Sequence, residues 1–288
     1  MDLYTLIAGL FRLGWRALGL EVQSRGHHHI PDRGPVILAS NHVGYLDFCF
    51  AALAPPRPRR QVRFVARHDI FEKRFVGWAL RTMHQIPVDV HGDPTPALEE
   101  SERKLREGEV VGMHPEGTIS PSFVPRQGRT GTARLAQRTG APIVPVAIWG
   151  SQRLLTKGRP VKLRRGLAVV VRYGEPFHPA SEDPVEATAE LMERITRLLA
   201  QAQAEYPQQP EPGDAWWLPH HLGGTAPTPE EAEERIRRQV EERRRRAEEE
   251  GRRRDAAQER TGEQGTGPPG SPSRDTTSPP DDEGRAAG

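Results

Sequence analysis

A histidine and an aspartate with four residues between them form the pattern in this chain most able to do chemistry. They are His42 and Asp47, in the run SNHVGYLD over residues 40–47. A carboxylate that accepts a hydrogen bond from one imidazole nitrogen fixes the tautomer, and the other nitrogen can then take a proton from an alcohol near neutral pH. The same spacing also arises by chance. A surface histidine, or a core histidine with satisfied hydrogen bonds, is therefore the alternative.

The spacing of the pair also predicts the elements that must position it. On one continuous helix, residues five apart point roughly 140° away from each other, so the two side chains would diverge. They meet only if His42 lies in a turn before a helix and Asp47 in that helix's first turns. The apolar run 35–40 predicts a buried strand, and the run 45–53 predicts a helix packed on a sheet. The pair then lies at the carboxyl end of a strand, where open α/β sheets bind ligands.

A second segment has the same strand-then-turn character. Residues 110–120 read VVGMHPEGTIS, an apolar strand followed by a turn rich in Pro, Gly, Thr and Ser. Gly117 permits close backbone approach, and successive N–H groups beside it could hold an anion. Glu116 could bind the hydroxyl of an acceptor. The alternative is an ordinary Pro-Glu-Gly turn without a ligand.

With two further segments, these runs resemble the glycerolipid acyltransferase family, which includes bacterial 1-acylglycerol-3-phosphate acyltransferase. The family's first block, Asn-His-(four residues)-Asp, matches Asn41, His42 and Asp47. Its third block, usually Phe-Pro-Glu-Gly-Thr-Arg-Ser, reads His-Pro-Glu-Gly-Thr-Ile-Ser over residues 114–120. The second and fourth blocks match residues 64–77 with 86–89, and residues 143–148. The resemblance covers about residues 30–180.

The resemblance implies a reaction and a set of site residues. His42 would be the general base on a glycerol hydroxyl, and Asp47 would orient its imidazole. The implied donor is acyl-CoA or acyl carrier protein and the acceptor is lysophosphatidic acid, with no metal, no acyl-enzyme and no cofactor besides the donor. Phosphatidic acid would be the product. The predicted substrate-binding residues are Asn41, Arg67, Glu116, Gly117, Thr118 and Arg129.

Departures from the family pattern concern the acceptor. Ile119 stands where an arginine is usual, so one expected phosphate contact is missing. Arg129, in an Arg-Thr-Gly run where the family often has Lys-x-Gly, is the first choice to replace it. Arg126, Arg134, Arg153 and Lys157 are the further candidates. Another lysophospholipid or a glycolipid thus stays open as the acceptor.

Two functions from other classes are the alternatives to a transferase. A serine or thioester hydrolase needs a nucleophile near His42, but the chain has no Gly-x-Ser-x-Gly elbow. Cys49, the single cysteine, excludes an internal disulfide and fits a reducing cytoplasm; on an apolar helix it indicates core packing rather than a nucleophile. A catalytically silent membrane-binding protein is disfavoured because His42 and Asp47 are intact.

Composition limits the partners. The formal net charge is +2, and the arginine run 243–246 is flanked by glutamates, which argues against nucleic-acid binding. After Trp217 the chain has no aromatic residue and is rich in Glu, Arg, Gly, Pro and Ser. That segment cannot bury enough apolar surface to form a core. We therefore predict an acyltransferase domain over residues 21–222, and a charged helix and disordered tail over residues 223–288, the helix spanning about 228–260.

The alternation of elements predicts an α/β fold, a layered α/β sandwich around a mainly parallel sheet. The predicted strands are 36–40, 62–66, 86–88, 110–113, 143–148 and 167–173. The predicted helices are 45–53, 71–83, 95–107, 130–139 and 184–206.

Residues 1–20 predict an amphipathic helix with a narrow polar stripe that contains Arg12 and Arg16. Two arginines disfavour a membrane span and favour a helix lying in the membrane interface. The expected location is therefore the cytoplasmic face of the cell membrane, with the lipid surface as a partner. The alternative is a helix that covers the domain's own core. For Trp216 and Trp217 both alternatives, membrane anchor and core closure, stay open.

Overall fold

The structure, a computed structural model, describes residues 3–55, 60–89, 92–161, 164–242, 245 and 249. Two compact units divide the chain, Met1–Glu234 and Arg235–Gly288. Of the second unit, residues 235–242 are helical and mostly exposed, as a polar helix requires. The predicted disordered tail, 261–288, lies outside the described residues.

A mixed, mostly parallel sheet forms the centre of the larger unit and confirms the predicted fold class. Its seven described strands follow the order β1-β7-β6-β2-β5-β3-β4, and only β6 and β7 pair antiparallel. The strands are β1 (Glu21–Arg25), β2 (Val36–Ser40), β3 (Val62–Arg67), β4 (Ile86–Val88), β5 (Val110–Met113), β6 (Ile143–Trp149) and β7 (Ala168–Tyr173).

Helices cover both faces of this sheet, so β2 and β6 are buried throughout. Alternate residues of β2 enter different cores: Val36 and Leu38 pack on the side of α1 and α2, and Ile37 and Ala39 on the side of α5, α6 and α7. The helices are α1 (Leu3–Ala17), α2 (Asp47–Leu53), α3 (His68–Phe71), α4 (Arg74–Thr82), α5 (Thr95–Arg106), α6 (Gly131–Thr139), α7 (Pro184–Ala204) and α8 (229–242).

The parallel strands β2, β5, β3 and β6 all end on the same side of the sheet, at its carboxyl edge. The segments that follow them, which include the first and third family blocks, therefore come together there. Ala39 of β2 lies opposite Met113 of β5, so the residues that follow these two strands are neighbours. β6 flanks β2 on its other side. The site residues of the first and third blocks are therefore adjacent in space although more than 70 positions apart in sequence.

Two elements differ from the sequence-based prediction. The polar segment Glu21–Arg25, for which no strand was predicted, forms the edge strand β1 beside β7; an edge strand is half solvated and tolerates charged residues. The helix predicted over 71–83 is present as α4, which begins at Arg74 and ends at Thr82, whereas Phe71 ends the separate short helix α3. The chain folds back at Lys73, and a Cβ at Gly77 would lie 1.9 Å from the carbonyl oxygen of Phe71, so only glycine fits there.

Helix α1 contacts the domain through Arg12 and Trp15. The Arg12 guanidinium points toward the domain and donates to the carbonyl oxygens of Leu53 and Pro55, at 2.7 and 2.6 Å, at the end of α2. Free carbonyls at a helix C-terminus attract a cation, which explains why this arginine leaves the solvent face. On the same side of α1, Trp15 stacks on Phe50 with ring centroids 4.7 Å apart.

The larger unit extends beyond the boundary predicted at residue 222. Ala226 and Ala232 are buried, and Arg126 forms an ion pair with Glu233 of α8. Small alanine side chains let this segment lie close to the domain, a contact that charge composition alone did not reveal. Trp217 is only 1 % exposed and closes the core near Trp149.

Candidate active site

His42 and Asp47 meet as their spacing predicts. His42 lies in the turn after β2, Asp47 is the first residue of α2, and the His42 Nδ1 lies 3.0 Å from the Asp47 Oδ2. Because a carboxylate only accepts hydrogen bonds, Nδ1 carries the proton and Nε2 keeps a lone pair. The His42 side chain is 19 % exposed and Asp47 is fully buried. The pair can therefore act as a base toward a substrate at the sheet edge.

Asp47 accepts hydrogen bonds from three donors in addition to the His42 ring. Its Oδ2 also accepts from the backbone N–H groups of Val43 and Gly44, at 2.7 and 2.8 Å. Its Oδ1 accepts from the Ser151 hydroxyl, which follows β6. These bonds fix the carboxylate and close the loop around it. Sequence reasoning missed Ser151; the signal was the Gly-Ser pair directly after the fourth-block strand.

Asn41, predicted to bind substrate, is a structural residue instead. Its side-chain amide donates to the Ile148 carbonyl at 3.0 Å, and its oxygen accepts from the Ile148 N–H at 2.7 Å. The side chain is 1 % exposed. Asn41 thus joins the end of β2 to β6, and both halves of its amide are already engaged.

Glu116, predicted to bind the acceptor, also has both oxygens occupied by backbone groups. Its Oε1 accepts from the His42 N–H at 2.8 Å and its Oε2 from the Arg126 N–H at 3.0 Å. The side chain is 1 % exposed, and burial raises its pKa to about 8. Glu116 therefore fastens the loop of His42 to the turn after β5 and is not open to a ligand.

Gly117 and Arg129 lie together at the outer side of that turn. Gly117 has a left-handed φ of 69°, and a Cβ there would lie 2.8 Å from the Arg129 Nε. Arg129 is exposed and its backbone N–H donates to the Pro115 carbonyl at 2.8 Å. No carboxylate among the described residues forms an ion pair with its guanidinium. This cation is placed to receive an anionic group.

Comparison with known proteins agrees with this site. The Acyltransferase family model matches residues 21–149, from β1 through β6. The 1-acyl-sn-glycerol-3-phosphate acyltransferase of Bacillus subtilis is 26 % identical over 187 residues, 62 % of this chain and 88 % of the relative. That of Pseudomonas aeruginosa is 29 % identical over 192 residues, 65 % and 70 % of the two chains.

A solved structure extends the similarity to the fold. The crystal structure of the 1-acyl-sn-glycerophosphate acyltransferase PlsC from Thermotoga maritima matches with a TM-score of 0.60 at 26 % identity, over 71 % of this chain and 81 % of that one. Residues 21–149 thus form an acyltransferase domain, and the chain is similar in sequence and fold to the 1-acyl-sn-glycerol-3-phosphate acyltransferases. It is an acyltransferase enzyme of lipid biosynthesis.

The remaining predicted contacts of this acyltransferase lie at the rim of the site. Arg67, at the end of β3, forms a two-pronged ion pair with Asp69, at 3.0 and 2.6 Å. Thr118 is half-buried in the turn after Gly117. Ile119 is 3 % exposed, so the position where the family usually has an arginine faces the interior. Only Arg129 among the predicted cations is both beside the third-block turn and without an ion pair in the described chain.

Two of the further cations predicted as replacements, Arg126 and Arg153, are engaged elsewhere. Arg126 pairs with Glu233. Arg153 is 9 % exposed, donates to the Tyr206 hydroxyl at 3.0 Å and lies over the Trp217 ring. These contacts hold the core of the acyltransferase together and leave the guanidinium of Arg153 without access to substrate.

The geometry disfavours a covalent acyl-enzyme. Cys49 is 2 % exposed, and burial raises the pKa of its thiol well above the ordinary value, so it stays protonated. In the described part of the chain, no hydroxyl or thiol is hydrogen-bonded to the His42 Nε2. No three His, Cys, Asp or Glu side chains in that part are grouped to hold a metal ion.

Proposed function

We propose that this enzyme transfers a fatty acyl group from an acyl thioester, acyl-CoA or acyl carrier protein, to the free hydroxyl of 1-acyl-sn-glycerol 3-phosphate, giving phosphatidic acid. The observation that carries the proposal is the His42–Asp47 pair at the sheet edge, with an unoccupied ring nitrogen. The names of the relatives from Bacillus subtilis and Pseudomonas aeruginosa support this acceptor.

Proton transfer at His42 begins the proposed reaction. The Nε2 lone pair takes the proton of the glycerol hydroxyl while its oxygen attacks the thioester carbonyl carbon. The imidazolium that forms is stabilised by the Asp47 carboxylate, which the backbone and Ser151 hold in place. A carboxylate fixed before the reaction needs no reorganisation when the charge appears.

Collapse of the tetrahedral intermediate completes the transfer. The carbonyl re-forms, the carbon–sulfur bond breaks, and the leaving thiolate takes the proton from the imidazolium. His42 returns to its neutral form, and the products are the ester and a free thiol. No acyl-enzyme, metal or redox cofactor takes part in this scheme.

The acceptor's phosphate is proposed to bind at Arg129. Its guanidinium lies against Gly117 and can offer a planar pair of donors to a phosphate. A second acceptor class, a lysophospholipid with a larger head group, is kept open by Ile119, which removes the usual arginine from the third block. A single exposed arginine restricts the head group less than two would.

A lipid surface is the proposed partner of α1 and α4. Four leucines of α1 are exposed by 43–62 %, and Phe75 and Trp78 of α4 by 84 and 52 %. The two helices contact each other, and exposed Lys73 and Arg74 adjoin this apolar surface. Apolar side chains next to cations suit an anionic membrane.

The proposed location is the cytoplasmic face of the cell membrane. Among the described helices, none is long and apolar enough to span a bilayer.

An acyl-transfer assay tests the reaction. Purified protein is given labelled acyl-CoA or acyl carrier protein and a panel of lysophospholipids. We expect labelled phosphatidic acid from lysophosphatidic acid, and a loss of about 10³-fold or more in His42→Ala. Release of free fatty acid without transfer would instead identify a hydrolase. Equal or faster turnover of lysophosphatidylcholine would contradict the acceptor.

Liposome sedimentation tests the lipid surface. Replacing Leu6, Leu10 and Leu13 together by Gln should reduce binding to phosphatidylglycerol vesicles by about 10³-fold or more, since each leucine side chain buried in lipid contributes about 1.5–3 kcal/mol. Val185→Gln, a change at an exposed apolar residue of α7, serves as the control and should bind as the wild type does. Unchanged binding of the triple variant would contradict the assignment of this surface.

A further inference from the structure

A second histidine lies against His42 and has no place in the reaction described above. His114 directly follows β5, and Ser40 ends β2 beside it. Because neighbouring residues of parallel strands point the same way, the two side chains meet. The His114 Nδ1 lies 3.0 Å from the Ser40 hydroxyl oxygen. The family usually has phenylalanine where this chain has His114.

The two imidazole rings are stacked face to face. Their centroids are 4.0 Å apart and their planes differ by 8°. The Phe64 ring also contacts His114, with centroids 5.5 Å apart. His114 is thus fixed by Ser40 and Phe64, and its flat face lies against the ring that must accept a proton. Asp47 holds only the Nδ1 of His42, so this hydrogen bond alone does not stop the imidazole from rotating about it. The stack with His114 restrains that rotation.

The His114 ring is uncharged at neutral pH. Burial, and then the proximity of His42, lower the pKa of His114 to about 3. At neutral pH it therefore places no second positive charge beside the imidazolium that forms during transfer. Its Nε2 is buried without a hydrogen-bond partner among the described residues, a cost that a phenylalanine would not carry. What the imidazole adds over phenylalanine is the bond to Ser40.

We propose that His114 is a positioning residue: anchored by Ser40, its flat ring stacks on the His42 imidazole and holds it in the plane from which the free nitrogen faces the acceptor hydroxyl. The inference rests on the proposed function for its kinetic readout alone. A misplacement of about 1 Å at a reacting group can cost about 10²-fold in rate. The loss should appear in kcat rather than KM, because His114 acts through His42 and does not touch substrate.

Three variants separate the stack from other roles. His114→Phe keeps a flat ring without nitrogens, and His114→Leu fills the space without a ring. Ser40→Ala removes the hydroxyl at the His114 Nδ1 and keeps the Ser40 carbonyl oxygen, 3.4 Å from the same nitrogen. We expect kcat within about threefold of wild type in the Phe variant, because an apolar ring packs against Phe64 without needing a hydrogen bond. The Leu variant should be about 10–100-fold lower. Ser40→Ala should lie between them, because it leaves a polar ring with a weakened anchor, and KM should be unchanged in all three. Thermal unfolding checks that each variant folds, and His114→Met replaces the Leu variant if that one does not.

Proton NMR gives a readout that needs no substrate. The proton shared by the His42 Nδ1 and Asp47 should give a downfield resonance, which His42→Ala assigns. We expect it to remain sharp in His114→Phe and to broaden in His114→Leu. A wild-type kcat and a sharp resonance in the Leu variant would overturn the proposal.

Two other results would also overturn it. A Phe variant as impaired as the Leu variant would show that a ring nitrogen is required rather than a ring plane. A change in KM alone would show that His114 contacts substrate. If the wild type transfers no acyl group to any lysolipid, the proposed function fails, while the NMR comparison still decides whether the stack positions His42.

Discussion

The loop after β2 and the turn after β5 supply the two halves of the site and differ in how their polar groups are used. In the loop, Asp47 is buried and accepts from the His42 ring, two backbone N–H groups and Ser151. In the turn, Glu116 is equally buried, but the cation beside it, Arg129, is exposed. The proposed chemistry therefore depends on an enclosed network, and the proposed anion binding depends on a surface side chain.

This difference shows which positions can vary without loss of the reaction. A change inside the enclosed network leaves a buried polar group without its partner, which typically costs about 1–3 kcal/mol and displaces the base. A change at the exposed rim costs little stability. The family's usual arginine is absent at Ile119 while His42 and Asp47 are retained. Acceptor preference can therefore diverge while the catalytic pair stays constant.

Asp47→Asn should have the largest effect, because it alters the enclosed side of this comparison. The amide keeps the shape but cannot accept all the bonds that the carboxylate accepts, and it no longer stabilises the charged imidazole. We expect kcat to fall by about 10³-fold with little change in KM. Steady-state kinetics with lysophosphatidic acid measures both.

Ser151→Ala is a milder change in the same network and serves as the comparison for Asp47→Asn. It removes one donor to Asp47 and leaves the histidine contact, so we expect a loss of about tenfold in kcat. If Ser151→Ala and Asp47→Asn lower kcat equally, the carboxylate acts by holding the loop rather than by orienting His42.

Arg129→Ala tests the exposed side and should have a smaller effect of a different kind. Loss of the guanidinium beside Gly117 should raise KM for lysophosphatidic acid by about tenfold and leave kcat nearly unchanged. Arg134→Ala is the matched control. It removes a cation of α6 whose Nε donates to the Thr130 hydroxyl, and no change in KM is expected. If both variants change KM alike, general surface charge rather than a site at Arg129 attracts the acceptor.

Glu116→Gln should reveal the role of Glu116 through the pH dependence of stability. Burial raises the pKa of Glu116 from 4.5 to about 8, so the folded chain holds this proton more tightly than the unfolded chain. Its contribution to stability is complete below pH 4.5 and is lost as pH rises to about 8. For His114 the pKa falls from 6.5 in the unfolded chain to about 3 in the folded chain. Its contribution therefore makes the protein more stable as the pH rises from about 3 to 6.5.

Between pH 6.5 and 8, Glu116 is therefore the one of these two groups that changes stability. Urea unfolding at a series of pH values should show a decline over this interval in the wild type and a flatter curve in Glu116→Gln. His114→Phe should keep that decline and lose the rise at acid pH. A decline of equal slope in wild type and Glu116→Gln would assign the pH dependence to another group.

Much of the fold follows from the chain's local patterns. Strands β2 and β5 have the predicted bounds because continuous apolar runs fit a sheet covered on both faces, and the short edge strand β4 also has its predicted bounds. The errors lie where packing overrides pattern: the polar strand β1 is stabilised by pairing with β7, and the break between α3 and α4 depends on the contact of Gly77 with Phe71. Neither partner is adjacent in sequence.

The sequence by itself determined that His42 and Asp47 can meet, since their five-residue separation requires a turn followed by a helix and both residues are local. Only the tertiary structure decided the roles of Asn41, Glu116 and Ser151, because each is defined by a backbone or carboxylate contact from a distant strand. The His42–His114 stack belongs to the same class. Residue type states what a side chain can bind, but burial and long-range partners decide whether it remains free to bind substrate.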